Sequence, residues 1–164
     1  MNLNDFNALS AERAMALLRP CVAIPAWAEQ VVAGRPYASH TALLAAARQA
    51  AQGWQAADLT LALSAHPRIG ERAAGPGAEA AFSRREQAGV DAGAPTAAAL
   101  QAGNLAYEQR FGRVFLVRAK GRSAEEMLAI LHQRLANSPA QEQQESLEQL
   151  RQITLLRLEE LITP

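Results

Sequence analysis

Residues 114–121 read VFLVRAKG, with four apolar residues in a row, two of them β-branched. This is the only stretch of the chain that reads as extended. A strand needs a neighbour for its backbone N–H and C=O groups, and nothing else in the sequence offers one. The segment is therefore too isolated to build a sheet, and the fold has to come from helices. Its buried amides must still be paired. Either FLVRA is an ordered connector whose groups bond to water, or a bound molecule rich in donors and acceptors completes them.

Outward from that segment the helical punctuation is readable in both directions. Downstream, Ser123 and Glu126 have the spacing of a capping box ahead of MLAILHQRLAN. Asn137 and Pro139 end that helix, and a final one fills 140–162. Leu147, Leu150, Ile153, Leu155, Leu158, Leu161 and Ile162 give it a broad apolar stripe, suited equally to a core or to a dimer. Upstream, Pro95 and Thr96 open a long helix that runs to Phe111 and stops at Gly112. Before it, AEAAFSRREQA reads as a short helix ending at Gly89, preceded by a loop, RAAGPG, at 72–77. Ser10 caps a first helix closed by Pro20. A second runs from Pro25 to Gly34, and a third from the cap Ser39 to Gly53. Asp58 or a near neighbour starts a fourth. The expected architecture is all-α, a single compact domain of about eight helices spanning 1–164, with no sheet.

Composition narrows the function classes. The chain has 164 residues, 49% hydrophobic and 20% charged, ordinary values for a globular protein able to bury its own core. Sixteen basic and sixteen acidic residues cancel, which removes the positive footprint of a nucleic-acid binder. No stretch reaches the length of a membrane span, and the N-terminus lacks the pattern of a signal peptide. The single cysteine, Cys21, has no internal disulfide partner and reads as a buried structural thiol, which suits a reducing cytoplasm.

Two polar clusters interrupt this alanine-rich background: LSAHPRIGE at 63–71 and SRREQAG at 83–89. The residue before a proline is pushed out of the α region, so a helix should end at or near His66. An imidazole leaving a helix C-terminus is favoured as a cation and titrates near neutrality, so it can donate or accept a proton. It can equally be a helix-end histidine bonded to a carbonyl. On a helix, Ser83 shares a face with Glu86 and Gln87, presenting a hydroxyl, a carboxylate and an amide, while Arg84 and Arg85 point elsewhere. The same letters, S-R-R-E, spell a capping box. The helix start decides between the two, and GAEAAF before Ser83 looks helical, which argues for an interior serine.

The remaining chemistry is sparse. His40 follows a cap and His132 sits within HQR, and no histidine shows the spacing of a zinc site. There is no phosphate-cradling GxxxxGK[ST] or GxGxxG loop and no GxSxG elbow. The inventory suits acid–base work without metal or cofactor.

In order and spacing, HPRIG, SRREQAG, YEQRFGRVFLVRAKGRS and EEMLAILHQRLAN resemble the OHCU decarboxylase family. PAWAEQVVAGRPY and QITLLRLEELI agree with it, so the resemblance covers nearly the whole chain. (OHCU is 2-oxo-4-hydroxy-4-carboxy-5-ureidoimidazoline.) The resemblance implies an all-helical cytoplasmic homodimer that converts OHCU to (S)-allantoin in urate breakdown, with no cofactor. It puts the catalytic proton donor on His66, beside a substrate contact at Pro67. Further substrate contacts fall on Ser83, Glu86 and Gln87 within the SRREQ segment, which carries Arg84 and Arg85 with it, and Glu86 also has a catalytic part. The backbone-reading segment falls on Phe115, Leu116, Val117, Arg118 and Ala119. One departure is conservative: Ile69 stands where leucine is frequent. Relatives with a peroxisomal tail exist, and EELITP shows none. A helical ureide-binding module without activity, or a cofactor-free lyase acting on another ureide, would share the same inventory.

Overall fold

Helix ends set by short polar side chains and prolines account for most of the architecture. The computed structural model describes residues 1–64, 78–87 and 93–164, with the backbone alone for 78–80. Within these, nine α-helices occur: α1 Leu3–Ala8, α2 Ala11–Leu18, α3 Pro25–Ala33, α4 His40–Ala51, α5 Ala56–Leu63, α6 Ala78–Glu86, α7 Ala94–Phe111, α8 Ala124–Arg134 and α9 Pro139–Leu161. A 3-10 turn, Arg19–Cys21, follows α2. No strand occurs among the described residues, in line with the all-α expectation.

Eight of these helices match the expected ones, and α1 is the addition. Its signal was the Asn2 side chain, which accepts from Asp5 N at 2.8 Å as an N-cap. Ser10 and Ser39 cap α2 and α4 as the sequence indicated. Pro25 occupies the first turn of α3, where a missing N–H costs nothing. Asp58 acts from inside the first turn of α5, its carboxylate accepting from Gln55 N at 2.9 Å, so the helix begins two residues earlier. Gly112 ends α7 with φ 71°, a left-handed conformation that glycine adopts without the Cβ penalty. The HP pair, the RAAGPG loop and the Gly89 stop lie outside the described residues.

The chain divides into two compact units. The first comprises Met1–Ala62 and Arg151–Pro164, and the second comprises Leu63–Leu150. In the first, α3 packs against α2 and α4. Trp27, 1% exposed, donates its indole N–H to Ala47 O at 3.0 Å, which satisfies the polar end of a buried aromatic. Arg35 Nη1 lies 2.8 Å from both Phe6 O, which also accepts the Leu9 N–H, and Leu9 O, so it closes the end of α1. The end of α9 is tied in by side chains: Arg151 Nε donates to Ala51 O at 2.9 Å, and Arg157 Nη1 reaches Pro20 O and Cys21 O at 3.3 Å. His40 Nε2 sits 2.7 Å from Ile162 O, so this histidine is held by a carbonyl. Cys21 is fully buried, as a structural thiol should be.

In the second unit α7 packs on α8. The approach is close: a Cβ on Gly103 would run into Leu131 Cδ2, so a larger residue there would require the Leu131 side chain to shift. Leu100, Tyr107, Met127 and Leu131 form the core with Phe115, Val117 and Ala119 from the extended segment. Alternate side chains of that segment therefore enter the core, the period of a strand without its sheet. Burying Phe115 and Val117 contributes roughly 1.5–3 kcal/mol each, which offsets part of the entropy lost on ordering the segment. Of the apolar stripe on α9, Leu147, Leu150, Ile153, Leu158 and Ile162 are all buried within the chain itself.

Candidate active site

The first polar cluster of the candidate site is the end of α6. The helix starts at Ala78, so Ser83 is its sixth residue and cannot be its N-cap. A helical bond from Gln87 N to Ser83 O, 3.1 Å, runs through the cluster. Ser83 is 3% exposed, Glu86 and Gln87 are half-buried, and Arg84 and Arg85 face solvent. The aliphatic stem and guanidinium of Arg85 fold back over the Phe82 ring, 4.8 Å from its centroid. The hydroxyl, carboxylate and amide thus occupy the sheltered side of α6 and the two arginines the outer side. His66 and Pro67 lie outside the described residues.

The second cluster is the extended segment 114–119, between the Gly112 stop and the Ser123 cap. Phe115, Leu116, Val117 and Ala119 are buried and Arg118 is half-buried. Helix side chains stand in for a partner strand. Arg134, on α8, donates from Nη1 to Leu116 O at 2.5 Å, and Gln149, on α9, accepts from Arg118 N at 2.9 Å through Oε1. Arg122 Nη1 also reaches Gln149 Oε1, at 3.2 Å, and Arg118 O, at 3.3 Å.

Arg134 belongs to a largely buried polar network that sequence reasoning missed. Its Nε donates to Glu142 Oε1 at 2.7 Å, its Nη2 bonds the same oxygen, and Nη2 also reaches Ser146 Oγ at 3.1 Å. Tyr107 donates its hydroxyl to Glu142 Oε1 at 2.7 Å, and Asn137 Nδ2 donates to Oε2 at 3.1 Å. The guanidinium lies 4.7 Å from the Phe115 ring centroid. Charges buried this deeply persist only when paired and hydrogen-bonded, and removing one partner of such a pair costs about 3–5 kcal/mol. Burial, with Glu142 adding to it, pushes the Tyr107 hydroxyl up to about 12, partly offset by Ser146. Burial and the neighbouring Arg118 charge press Arg122 down from its ordinary value.

A signal for this network existed in the sequence. Ala124, Met127 and Leu131 define the buried stripe of α8, and the next position in that period is Arg134. An arginine at a core position demands a carboxylate. Glu142, Ser146 and Gln149 answer from α9 at i, i+4 and i+7, on one face. Among the described residues no three histidine, cysteine, aspartate or glutamate side chains converge as a metal cluster would.

Together these features define an all-helical protein whose candidate site draws on a polar helix face and on an extended backbone segment held by helix side chains. Both belong to the second unit. The family model for OHCU decarboxylase matches residues 7–159, and the chain belongs to that family. It is 34% identical over 168 residues to 2-oxo-4-hydroxy-4-carboxy-5-ureidoimidazoline decarboxylase of Amia calva, a match covering 99% of this chain and 95% of that one. It is 32% identical over 149 residues to the uric acid degradation bifunctional protein TTL of Arabidopsis thaliana, covering 87% of this chain and 45% of that longer protein. A crystal structure of OHCU decarboxylase in the presence of (S)-allantoin is similar at TM-score 0.73 and 25% identity, over 93% of this chain and 98% of the other. A crystal structure of (S)-allantoin synthase gives the same TM-score at 18% identity, over 99% of this chain and 54% of that one, and speaks to fold alone.

Proposed function

We propose that this chain decarboxylates OHCU to (S)-allantoin, working as one domain over its whole length. The observation that carries the reading is the end-to-end match to a decarboxylase of that name, joined to a helix face and a backbone segment chemically suited to a ureide. Urea and amide groups present paired donors and acceptors. Ser83, Glu86 and Gln87 offer the complementary set, and so does extended backbone at 115–119.

The substrate supplies its own electron sink. Its carboxylate and hydroxyl share one carbon, C4, next to the C5=N bond. When the bond to the carboxylate breaks and CO2 leaves, the electron pair moves into C4–C5 and the C5=N pair moves onto nitrogen, which takes a proton. The enol so formed becomes a carbonyl at C4 as C5 accepts a proton. No organic cofactor is needed to hold the charge. His66 moves the hydroxyl proton or delivers the one to C5, and delivery from one face fixes the S configuration. Glu86 holds the ureido and ring N–H groups and orients His66. Ser83, Gln87, Pro67 and the backbone from Phe115 to Ala119 clamp the ring, with Arg84 and Arg85 at the rim.

The same reading includes a cytoplasmic homodimer that engages neither nucleic acid nor membrane. Among the described residues no helix is long and apolar enough to cross a membrane, and the formal net charge is zero. Sedimentation at low concentration tests the dimer.

The deciding experiment generates OHCU in situ from urate and follows the circular dichroism of (S)-allantoin. Wild type should accelerate formation of one enantiomer, and His66→Ala should lose about 10²- to 10⁴-fold in rate, the usual worth of a positioned proton donor. A folded wild type that adds nothing to the spontaneous, non-stereospecific decay would leave a ureide-binding module. Full turnover by His66→Ala would remove the proton-transfer role.

A further inference from the structure

The backbone-reading part of the proposed site raises a structural question: what keeps an isolated extended segment aligned without a neighbouring strand. In extended backbone the N–H and C=O of one residue point to the same edge, and successive residues alternate edges. Leu116 and Arg118 therefore share one edge, and Phe115 and Val117 share the other. The structure engages the first edge from helices. Arg134 Nη1 donates to Leu116 O at 2.5 Å and Gln149 Oε1 accepts from Arg118 N at 2.9 Å. Gln149 is 6% exposed and lies on the same α9 face as Glu142 and Ser146, which are fully buried. That face spans about 60° at 100° per residue, narrow enough to act as one polar strip. It grips α8 through Arg134 at one end and the extended segment through Gln149 at the other.

We propose that Gln149 is a positioning residue of the site: by taking the Arg118 N–H while Arg134 takes the Leu116 C=O, it turns the even-numbered edge toward α8 and α9 and presents the Phe115–Val117 edge to the ureide. The inference rests on the OHCU reading for the ligand's identity. Gln149 does not touch the reacting atoms; it sets the direction of the groups that bind. Its Oε1 also receives Arg122 Nη1 at 3.2 Å, which fixes the amide's orientation with the oxygen toward the segment. Loss of that oxygen should let the segment rotate about its apolar anchors, Phe115 and Val117, with the core intact. Substrate binding would weaken and the chemistry of bound substrate would not, the pattern of a raised KM at constant kcat.

The test compares Gln149→Leu, which removes the acceptor, with Gln149→Glu, which keeps an acceptor oxygen at the same reach. Kinetics are read by allantoin dichroism, folding by thermal unfolding, and the segment by the amide NMR signal of Val117 during titration with (S)-allantoin. The expected result is a KM about tenfold higher in Gln149→Leu, kcat within about twofold of wild type, and both KM and the Val117 response restored in Gln149→Glu. An unchanged KM in Gln149→Leu overturns the inference, as does a rise that Gln149→Glu does not reverse. So does a lowered Tm with wild-type kinetics in the folded fraction, since that is a structural role alone. If wild type binds (S)-allantoin without turning over OHCU, the decarboxylase reading falls. The inference then stands or falls on whether the Val117 response is lost in Gln149→Leu and kept in Gln149→Glu. If Val117 does not respond in wild type, the inference is wrong.

Discussion

The letters S-x-x-E occur at 83–86 and again at 123–126, and the two copies do different things. At α8 Ser123 Oγ accepts from Glu126 N at 3.1 Å while Glu126 Oε1 accepts from Ser123 N at 3.2 Å, a complete capping box. At α6 the helix already runs from Ala78, so Ser83 and Glu86 lie one turn apart inside it. A third pair, Ser138 and Gln141, exchanges the same two bonds ahead of α9, at 3.0 and 3.2 Å. What separates these cases is the conformation of the residues before the serine. A serine preceded by non-helical backbone meets N–H groups that lack partners; one preceded by a helical turn meets N–H groups already bonded. The interior serine–glutamate pair does not cap its own helix, and that is where the proposed ligand contacts sit.

The strongest way to break this comparison is to exchange the glutamates. Glu86→Gln should cut turnover of OHCU by about 10²-fold, the lower range for a lost charged group at a reacting centre, with little change in unfolding temperature. Glu126→Gln should leave turnover at the wild-type value. Equal kinetic effects from both would show that α6 is only another helix.

The serines sharpen the same contrast. Ser83→Ala should raise KM about three- to tenfold, the equivalent of one net hydrogen bond, read by the allantoin dichroism assay. Ser123→Ala should cost about 1 kcal/mol of stability in urea unfolding and leave KM unchanged.

The smallest effect concerns pH. Tyr107 is packed in the network that receives the end of α8, and burial holds its hydroxyl near 12. Its ordinary value is near 10. A raised folded value favours the protonated form in the native state, so this contribution is complete below pH 10 and is lost as pH rises toward 12. Ultraviolet titration should show Tyr107 still protonated after an exposed tyrosine has ionised. Tyr107→Phe should flatten the fall of stability over that window.

Much of the helical order was legible because its signals are local. Ser10, Ser39 and Ser123 act within one turn, and Pro25 and Gly112 act through their own φ angles. The absence of a sheet around VFLVRA was legible too, from its isolation. The Arg134–Glu142 pair was legible only in part: the α8 period puts Arg134 at a core position, but its partner lies eight residues on, in a different helix. Read alone, Glu142 looks like a solvated charge near a helix start. Leu116 O and Arg118 N found partners in side chains whose nearness no short window contains.

The sequence by itself determined most starts and stops of the described helices after α1, that no partner strand was available, and, through its ordered motifs, the family. Those outcomes depend on forces acting over three or four residues or on residue identity alone. Only the tertiary structure decided that Arg134 finds Glu142, Ser146 and Tyr107 as its buried partners. It also decided what holds the extended segment. Burial and pairing are properties of chain segments brought together by the packing of α7, α8 and α9, where a charge in low dielectric must find its counterpart or cost the fold several kcal/mol.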